Sequence, residues 1–230
     1  MTKHTQKTSR QAQTERNDRA LLQAAREVIA AEGAHASVAA IAERAGVGIG
    51  SLYRRYQTKE ELFQRLCEIT LDDYCRAAQE GLANDDPWDG LVHYVTTSIG
   101  LGLGSLAPIA GTVTVTQEMA DKNERADDAV NALVDRAHTT GTLRPDVTPV
   151  DLELLIEQLA KSPLLDQLKK QGRTDLLEAA LNARARITAI ALDGLRATML
   201  RPLPGQPPGY ELFSERWSTT PPTTSGVEIS

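Results

Sequence analysis

Apolar residues recur at helical spacing along most of this chain, and glycine, proline or helix-capping residues separate one periodic stretch from the next. This pattern predicts an all-α fold with about nine helices. Pro163 should bend or interrupt its helix, because proline lacks the amide hydrogen that a helix interior needs. The predicted helices span residues 16–32, 38–45, 49–55, 59–83, 88–103, 107–116, 117–140, 150–170 and 174–199.

Residues 38–63 carry the most specific local pattern. A helical stripe of small apolar side chains stops at Gly46, and a short second helix follows. Glycine adopts positive φ without steric cost, so Gly46 suits a sharp exit from the first helix. Thr58 and Glu61 then form a capping-box sequence that begins another helix. The arrangement predicts a helix-turn-helix, in which the second helix can lie in a DNA major groove.

The segment AIAERAGVGIGSLYRRYQTKEELF, residues 40–63, resembles the DNA-binding signature of the tetracycline-repressor (TetR) family of bacterial transcription regulators. The similarity extends upstream through residues 17–32 and covers about fifty residues, whereas the chain from Cys75 onward resembles the family only in length and helical layout. The resemblance implies an N-terminal three-helix domain that binds operator DNA. It also implies a larger helical domain that binds a small molecule and forms a homodimer.

Four segments follow from this interpretation. They are a flexible basic tail over residues 1–15, a helix-turn-helix domain over 16–58, an effector-binding and dimerisation domain over 59–200, and a Pro-rich tail over 201–230 that should be extended or disordered. The basic side chains of the first tail either reach into the DNA minor groove or stay solvated. They are Lys3, His4, Lys7 and Arg10.

The charge distribution agrees with DNA binding, although the net charge of −6 alone would argue against it. Residues 1–65 contain 11 Lys and Arg against 7 Asp and Glu, while residues 66–230 contain 14 against 24. The basic excess therefore lies on the domain that would contact phosphates.

The resemblance implies that Tyr53 and Lys59 contact DNA phosphates. Arg54 and Arg55 could bond guanine edges or phosphates, or could simply form a solvated face. Gly48 replaces the serine usual in the family, which removes a phosphate-contacting hydroxyl. The full set of expected DNA-contacting residues is Ser37, Gly48, Ile49, Gly50, Ser51, Tyr53, Arg54, Arg55 and Lys59.

The effector site is expected in the larger domain, with a small and mostly apolar ligand whose identity the sequence does not give. Its candidate residues are Trp88, His93, Tyr94, Thr97, Leu101, Gln117 and Met119. Residues 94–117 carry no charge, but their Gly, Pro, Ser and Thr content argues against a membrane span. Within this stretch residues 112–116 could form helix or strand, and helix is preferred because a lone strand has no visible partner.

Dimerisation would use the last two predicted helices, whose leucine and isoleucine content exceeds what one small core needs. The expected interface residues are Leu152, Leu155, Ile156, Leu159, Leu177, Leu181, Ile187 and Ile190.

We interpret the chain as a cytoplasmic, sequence-specific transcriptional regulator, a repressor that a small-molecule effector releases from its operator. The N-terminus is polar and lacks a secretory signal. An enzyme is disfavoured, because the four His and two Cys stand in no metal spacing, nucleophile elbow or phosphate loop, so no catalytic residue, metal ligand or cofactor is expected. The remaining alternative is a helical small-molecule-binding protein of the same fold with little or no DNA binding.

Overall fold

The computed structural model describes residues 19–29, 32–102, 106–161, 163–198 and 201–211. These residues contain nine α-helical segments and no strand, which confirms the all-α prediction. None of the described helices combines the length and the hydropathy that crossing a bilayer requires. The helices are α1 (19–29), α2 (Val38–Arg44), α3 (Ile49–Arg55), α4 (Lys59–Leu82), α5 (Pro87–Leu101), α6 (Gln117–Thr139), α7 (Pro149–Ala160), α8 (Pro163–Lys170) and α9 (Leu177–Asp193).

The chain divides into two compact units. The first comprises Met1–Leu66, Leu106–Gln117 and Gly209–Ser230, and the second comprises Cys67–Ser105 and Glu118–Pro208. The division differs from the boundary expected at residue 59, because it falls inside the uninterrupted helix α4. A continuous helix gives the sequence no break at which to place a domain boundary.

The helix predicted over residues 107–116 is wrong. Only a single 3-10 turn forms, over Ala107–Ile109, and residues 112–116 are neither helix nor strand. Gly111 has φ of 75°, so the chain turns out of helical geometry immediately after this turn. The β-branched residues that follow have no strand to pair with in the described chain.

The helix predicted over residues 150–170 is two helices, α7 and α8. Pro163 begins α8 instead of bending a longer helix, since the first turn of a helix does not need the amide hydrogen that proline lacks. Thr148 and Asp151 cap the start of α7 reciprocally.

The helix predicted over residues 174–199 is also shorter than expected. Thr174–Leu176 is a 3-10 turn, and α9 ends at Asp193. Beyond α9 the backbone pairs with the loop after α6, because the Arg144 amide donates to the Leu195 carbonyl at 3.0 Å and the Ala197 amide donates to the Thr142 carbonyl at 3.1 Å. Helix α9 ends before Gly194, a poor helix former, and the long-range pairing holds the residues that follow.

The tail from residue 201 was expected to be extended or disordered, with few contacts to the core, but its first residues are hydrogen-bonded to the loop after α6. The Arg144 guanidinium donates to the carbonyl of Arg201 at 2.7 Å, and Asp146 accepts from the Leu203 amide at 2.9 Å. Arg144 and the Leu203 amide together lower the pKa of Asp146 to about 2. The prediction for residues 212–230 lies outside the described residues.

The core of the second unit is built from α4, α5, α6 and α7, and glycine sets the approach of α4 to α5. A Cβ atom on Gly90 would lie 2.3 Å from the Gly81 carbonyl oxygen, and one on Gly81 would lie 2.6 Å from the Gly90 oxygen. Arg136 of α6 covers this crossing and donates to the carbonyls of Leu82 and Asn84 at 2.8 and 2.9 Å. These bonds satisfy carbonyls that the end of α4 leaves without helical partners.

The glycine crossing can be tested by adding a single methyl group. We expect Gly90→Ala to lower the free energy of unfolding by about 1–3 kcal/mol, because the backbone must move away from the new Cβ atom. Gly100→Ala is the matched control on the same helix, since its Cβ would meet nothing within 4 Å. That control should gain about 0.5–1 kcal/mol from helix propensity. Urea unfolding followed by circular dichroism measures both, and equal stabilities would contradict the crossing.

Candidate nucleic-acid interface

The turn between α2 and α3 is built as the sequence predicts. Gly46 has φ of 68°, its amide donates to the Glu43 carbonyl at 3.1 Å, and the Val47 amide donates to the Ala42 carbonyl at 3.0 Å. These two bonds form a Schellman motif, which closes the end of α2 while reversing the chain. The direction in which the chain enters α3 is therefore set by backbone bonds within the six residues 42–47.

Helix α3 buries one side chain and exposes most of the others. Leu52 is 3% exposed and anchors the helix to the first unit, whereas Ile49 is 45% and Tyr53 is 47% exposed. Ile49 and Tyr53 are four residues apart, so the two exposed side chains lie on the same side of α3. The predicted DNA-contacting residues of α3 that are exposed are Ile49, Gly50, Ser51, Tyr53, Arg54 and Arg55.

The two arginines at the end of α3 differ in their surroundings. The Arg55 guanidinium lies 5.3 Å from the centre of the Tyr56 ring, a cation–π distance that restrains it. Arg54 is exposed, and in the part of the chain that the structure describes it has no ion-pair partner. Its five donors are thus available for a planar acceptor such as a guanine edge.

Ser37 and Gly48 occupy the N-cap positions of α2 and α3. The Ser37 hydroxyl accepts from the Ala40 amide at 3.1 Å and keeps its own hydrogen for donation to an outside acceptor. Gly48 has φ of −66° and ψ of 129°, the extended geometry of an N-cap, but it offers no side chain to cap α3. The first amides of α3 therefore lack a side-chain acceptor.

Lys59 is the first residue of α4, and its ammonium nitrogen lies 5.0 Å from the centre of the Phe63 ring. The Thr58 hydroxyl accepts from the Glu61 amide at 3.0 Å, as the capping-box sequence predicts. Glu61 differs from the prediction, because its carboxylate accepts from the Gln57 amide at 2.6 Å, one residue before the cap. The caps hold Lys59 at a helix N-terminus, where backbone amides favour a bound anion.

The segment Leu106–Gln117 packs in the same unit, which the sequence did not indicate. The Thr114 amide donates to Glu60 at 3.2 Å, and the Gln64 side chain donates to the Thr114 carbonyl at 2.9 Å. The bonds from Thr114 lower the pKa of Glu60. Ile109 and Val113 are fully buried. Their spacing of four residues was the available signal, but it does not reveal which partner they contact.

The effector candidates do not form one group. Gln117 is exposed and belongs to the first unit, whereas the other six belong to the second. Trp88 is buried under the Arg196 guanidinium, 4.2 Å from the ring centre, and His93 pairs with Glu80 at 3.1 Å. Both side chains thus already have structural partners. The remaining candidates of the second unit are Tyr94 and Met119, which are buried, and Thr97 and Leu101, which are half-buried.

Burial contradicts the predicted interface role of two of the eight expected dimer residues. Leu152 and Ile156 are 0% and 2% exposed and pack in the core of their own unit, because the inner face of α7 lies against α5. The half-buried candidates are Leu155, Leu159 and Leu177, and the exposed candidates are Leu181, Ile187 and Ile190. The basic residues Lys3, His4, Lys7 and Arg10 lie outside the described residues.

Comparison with known proteins matches the same region. Residues 21–66 match the family model described as bacterial regulatory proteins, tetR family. A TetR transcriptional regulator from Streptomyces coelicolor is 26% identical, over 79% of this chain and 99% of that one, with a TM-score of 0.51. A TetR transcription regulatory protein from Mycobacterium vanbaalenii shares the fold at 23% identity, over 81% of this chain and 98% of that one, also with a TM-score of 0.51.

The cap position of α3 gives a prediction at Gly48. A Cβ atom there would meet nothing within 4 Å, so both serine and alanine fit. We expect Gly48→Ser to exceed Gly48→Ala in free energy of unfolding by about 1 kcal/mol, because only serine supplies an acceptor for the first amides of α3. Thermal unfolding of the two variants compares them directly. Equal stabilities would show that position 48 does not act as the N-cap.

Proposed function

We propose that this chain, a member of the TetR family of bacterial regulatory proteins, represses transcription by placing α3 in the major groove of an operator and is released by a small effector. The observation that carries the proposal is the exposed face of α3, which follows a turn fixed by backbone bonds and presents an arginine without an ion-pair partner in the described chain. A helix held this way keeps its side chains in register with base edges.

Reading and anchoring are assigned to different residues. Arg54 is proposed to bond a guanine edge, because arginine presents two parallel donors to guanine O6 and N7. Lys59 and Tyr53 are proposed to contact phosphates, which orient the protein without selecting sequence. Ile49 and Gly50 offer no side-chain hydrogen bond, so they would contact a thymine methyl or allow close approach. Ser37 and Ser51 would donate their hydroxyls to the phosphate backbone.

Dimerisation is proposed to use the outer face of α9. Ile187 and Ile190 are 55% and 69% exposed and lie three residues apart, so they share one side of the helix. Leu181 is six residues before Ile187 and lies at a different angle, which makes it a peripheral position. A two-fold dimer is the arrangement that presents two copies of α3 to successive turns of a duplex, about 34–36 Å apart.

Release is proposed to act on the start of α4. This helix begins with Lys59 and continues into the second unit. The segment Leu106–Gln117, which is bonded to Glu60 and Gln64 through Thr114, is preceded and followed in the sequence by residues of the second unit. An effector that shifts α5 or α6 would therefore move Thr114 and α4 together. A few ångströms of movement at each of two reading heads would lose contacts at both half-sites.

A binding protein without DNA affinity remains the second candidate function. The observation in its favour is Gly48, where a serine hydroxyl would otherwise cap α3 and contact a phosphate. The similar protein from Streptomyces coelicolor is a transcriptional regulator, and this likeness supports the proposal that the present chain is a cytoplasmic regulator and not an enzyme.

The assigned roles of Arg54 and Lys59 make a paired prediction. With a duplex selected by the wild type from a random library, Lys59→Ala should weaken binding to all sequences and reduce the salt slope by about one phosphate. Arg54→Ala should lose about 1–3 kcal/mol of binding free energy, and it should lose discrimination at only one base pair of each half-site. Fluorescence anisotropy measures both effects, with duplexes that carry single-base changes for Arg54→Ala and with a series of salt concentrations for Lys59→Ala.

Arg76→Ala is the matched control for this pair, because Arg76 is exposed on α4 within the second unit. Its affinity should equal that of the wild type. If Arg54→Ala weakens every single-base variant equally, Arg54 contacts a phosphate. If the wild type selects no sequence from the library, the binding protein without DNA affinity is favoured.

The dimer face gives a further prediction. Ile187→Glu combined with Ile190→Glu should sediment as a monomer at micromolar concentration, whereas the wild type should sediment as a dimer, because two carboxylates would face an apolar partner. Val115→Glu is the control, since Val115 is 45% exposed and lies outside α9. A wild-type monomer, or a double variant that remains dimeric, would overturn the assigned face.

A further inference from the structure

Helix α9, the proposed dimer helix, has most of its length outside the large core of the second unit. Only Ala180, Thr188 and Leu192 of its 17 residues are buried in the described chain. Ala180 packs in a separate small cluster with Leu165 and Leu168 of α8. Among the described residues, Leu192 is the one member of α9 that belongs to the large core, and it lies in the last turn. The apolar contact of α9 with the large core is therefore made at its C-terminal end.

The chain that follows α9 is joined to two other parts of the same unit. Leu143 and Arg196 pair in an antiparallel bridge, and the Arg144 amide donates to the Leu195 carbonyl at 3.0 Å. The Arg196 guanidinium also lies 4.2 Å from the centre of the Trp88 ring, in the first turn of α5. The end of α9 is thus held against the loop after α6 and against the start of α5.

A buried ion pair, which we call the Arg144 clamp, consists of Arg144 and Asp146. Arg144 is 6% exposed, and its guanidinium donates to both carboxylate oxygens of Asp146, at 2.5 and 2.9 Å. It also donates to the carbonyl of Gly194, the C-cap of α9, at 3.3 Å, and to the carbonyl of Arg201 at 2.7 Å. Asp146 in turn accepts from the Leu203 amide at 2.9 Å. The clamp therefore bonds both the end of α9 and the chain beyond it.

A second Arg-x-Asp pair in the chain shows what distinguishes the clamp. The Arg173 guanidinium donates to both carboxylate oxygens of Asp175, at 2.9 and 2.7 Å. Those side chains are 52% and 61% exposed, and in the described chain Arg173 has no further side-chain bond. A buried guanidinium is tolerated only when its donors are paired, and its planar fork then fixes where the acceptors lie. Burial and the bonds to Gly194 and Arg201 are therefore the features peculiar to Arg144.

We propose that Arg144 is a positioning residue for the dimer helix, and that with Asp146 it holds α9 in the orientation in which the outer faces of two copies pair. The assignment rests on the proposed function, because it takes α9 as the dimer helix. Ile187 and Ile190 lie within about two turns of the clamped end, so a tilt at that end redirects both side chains. Arg144 is buried, and it acts through α9 instead of contacting the partner.

Sedimentation velocity of the full chain without DNA measures the dissociation constant of the dimer. Arg144→Lys should raise this constant about tenfold or more, because one ammonium nitrogen cannot bond the Asp146 carboxylate and two carbonyls in the geometry of a guanidinium. Asp146→Asn should act in the same direction, because it removes the charge that orients Arg144. Far-UV circular dichroism should show unchanged helix content in both. Arg173→Lys and Asp175→Asn are the matched controls, and both should dimerise as the wild type does.

Trp88 reports the position of the α9 end without reference to dimerisation. The chain has two tryptophans, so the measurement uses a Trp217→Phe background in which Trp88 is the only indole. If the clamp holds Arg196 over the Trp88 ring, Arg144→Lys should raise the acrylamide quenching constant of Trp88 about twofold or more, well below the Tm, by local opening of this end. A uniform loss of stability would not change quenching at that temperature. Arg173→Lys should leave it unchanged.

Three results would overturn the assignment alone. They are an Arg144→Lys chain that dimerises as tightly as a dimeric wild type, Trp88 quenching that does not rise in that variant, and loss of helix content in both Arg144→Lys and Asp146→Asn, which would assign the pair to the stability of the whole unit. A wild type that sediments as a monomer would instead overturn the proposed dimer face, and the assignment with it. Because no DNA is present, failure to select a duplex affects neither measurement.

Discussion

The Schellman turn at Gly46 is the constraint on which the DNA-contacting surface depends. Helix α3 has seven residues, which is too short for a stable helix in water, so it holds its shape only through its attachments. Those attachments are the backbone bonds of the turn on one side and the buried Leu52 on the other. Because both leave the outer face untouched, Tyr53 and Arg54 stay exposed and oriented.

The start of α4 is also held by a small number of hydrogen bonds. The Thr58 hydroxyl accepts from the Glu61 amide in the first turn, the Glu61 carboxylate accepts from the Gln57 amide before the helix, and the Thr114 amide donates to Glu60 from a distant part of the chain. Lys59 therefore sits at a helix terminus that caps, charge and a long-range contact all define. The residues on either side of Lys59 are therefore held by hydrogen bonds, and Lys59 itself lies over the Phe63 ring.

The sequence predicted those features that are local. Gly46, Thr58 and the stripe of α2 specify their geometry within a few residues, so the turn and the Thr58 cap could be predicted from the pattern, whereas the bond from the Gln57 amide to Glu61 could not. The helix predicted over residues 107–116 was wrong, because the apolar residues of this segment reflect burial in the first unit and not a helical period. The predicted end of the last helix, at residue 199, was wrong because the backbone of Ala197 bonds to Thr142, a long-range contact that the local sequence does not reveal. Leu152 and Ile156 show the same limit, since a buried stripe does not reveal whether it faces its own core or a partner.

Guanine-methylation interference tests the central claim most directly, because a methyl group at N7 blocks the major-groove edge that Arg54 is proposed to read. On a duplex that the protein selects, the account requires interference at guanines in two clusters about ten base pairs apart, one for each copy of α3. Interference confined to adenine N3 in the minor groove, or a single cluster without a symmetry mate, would contradict it.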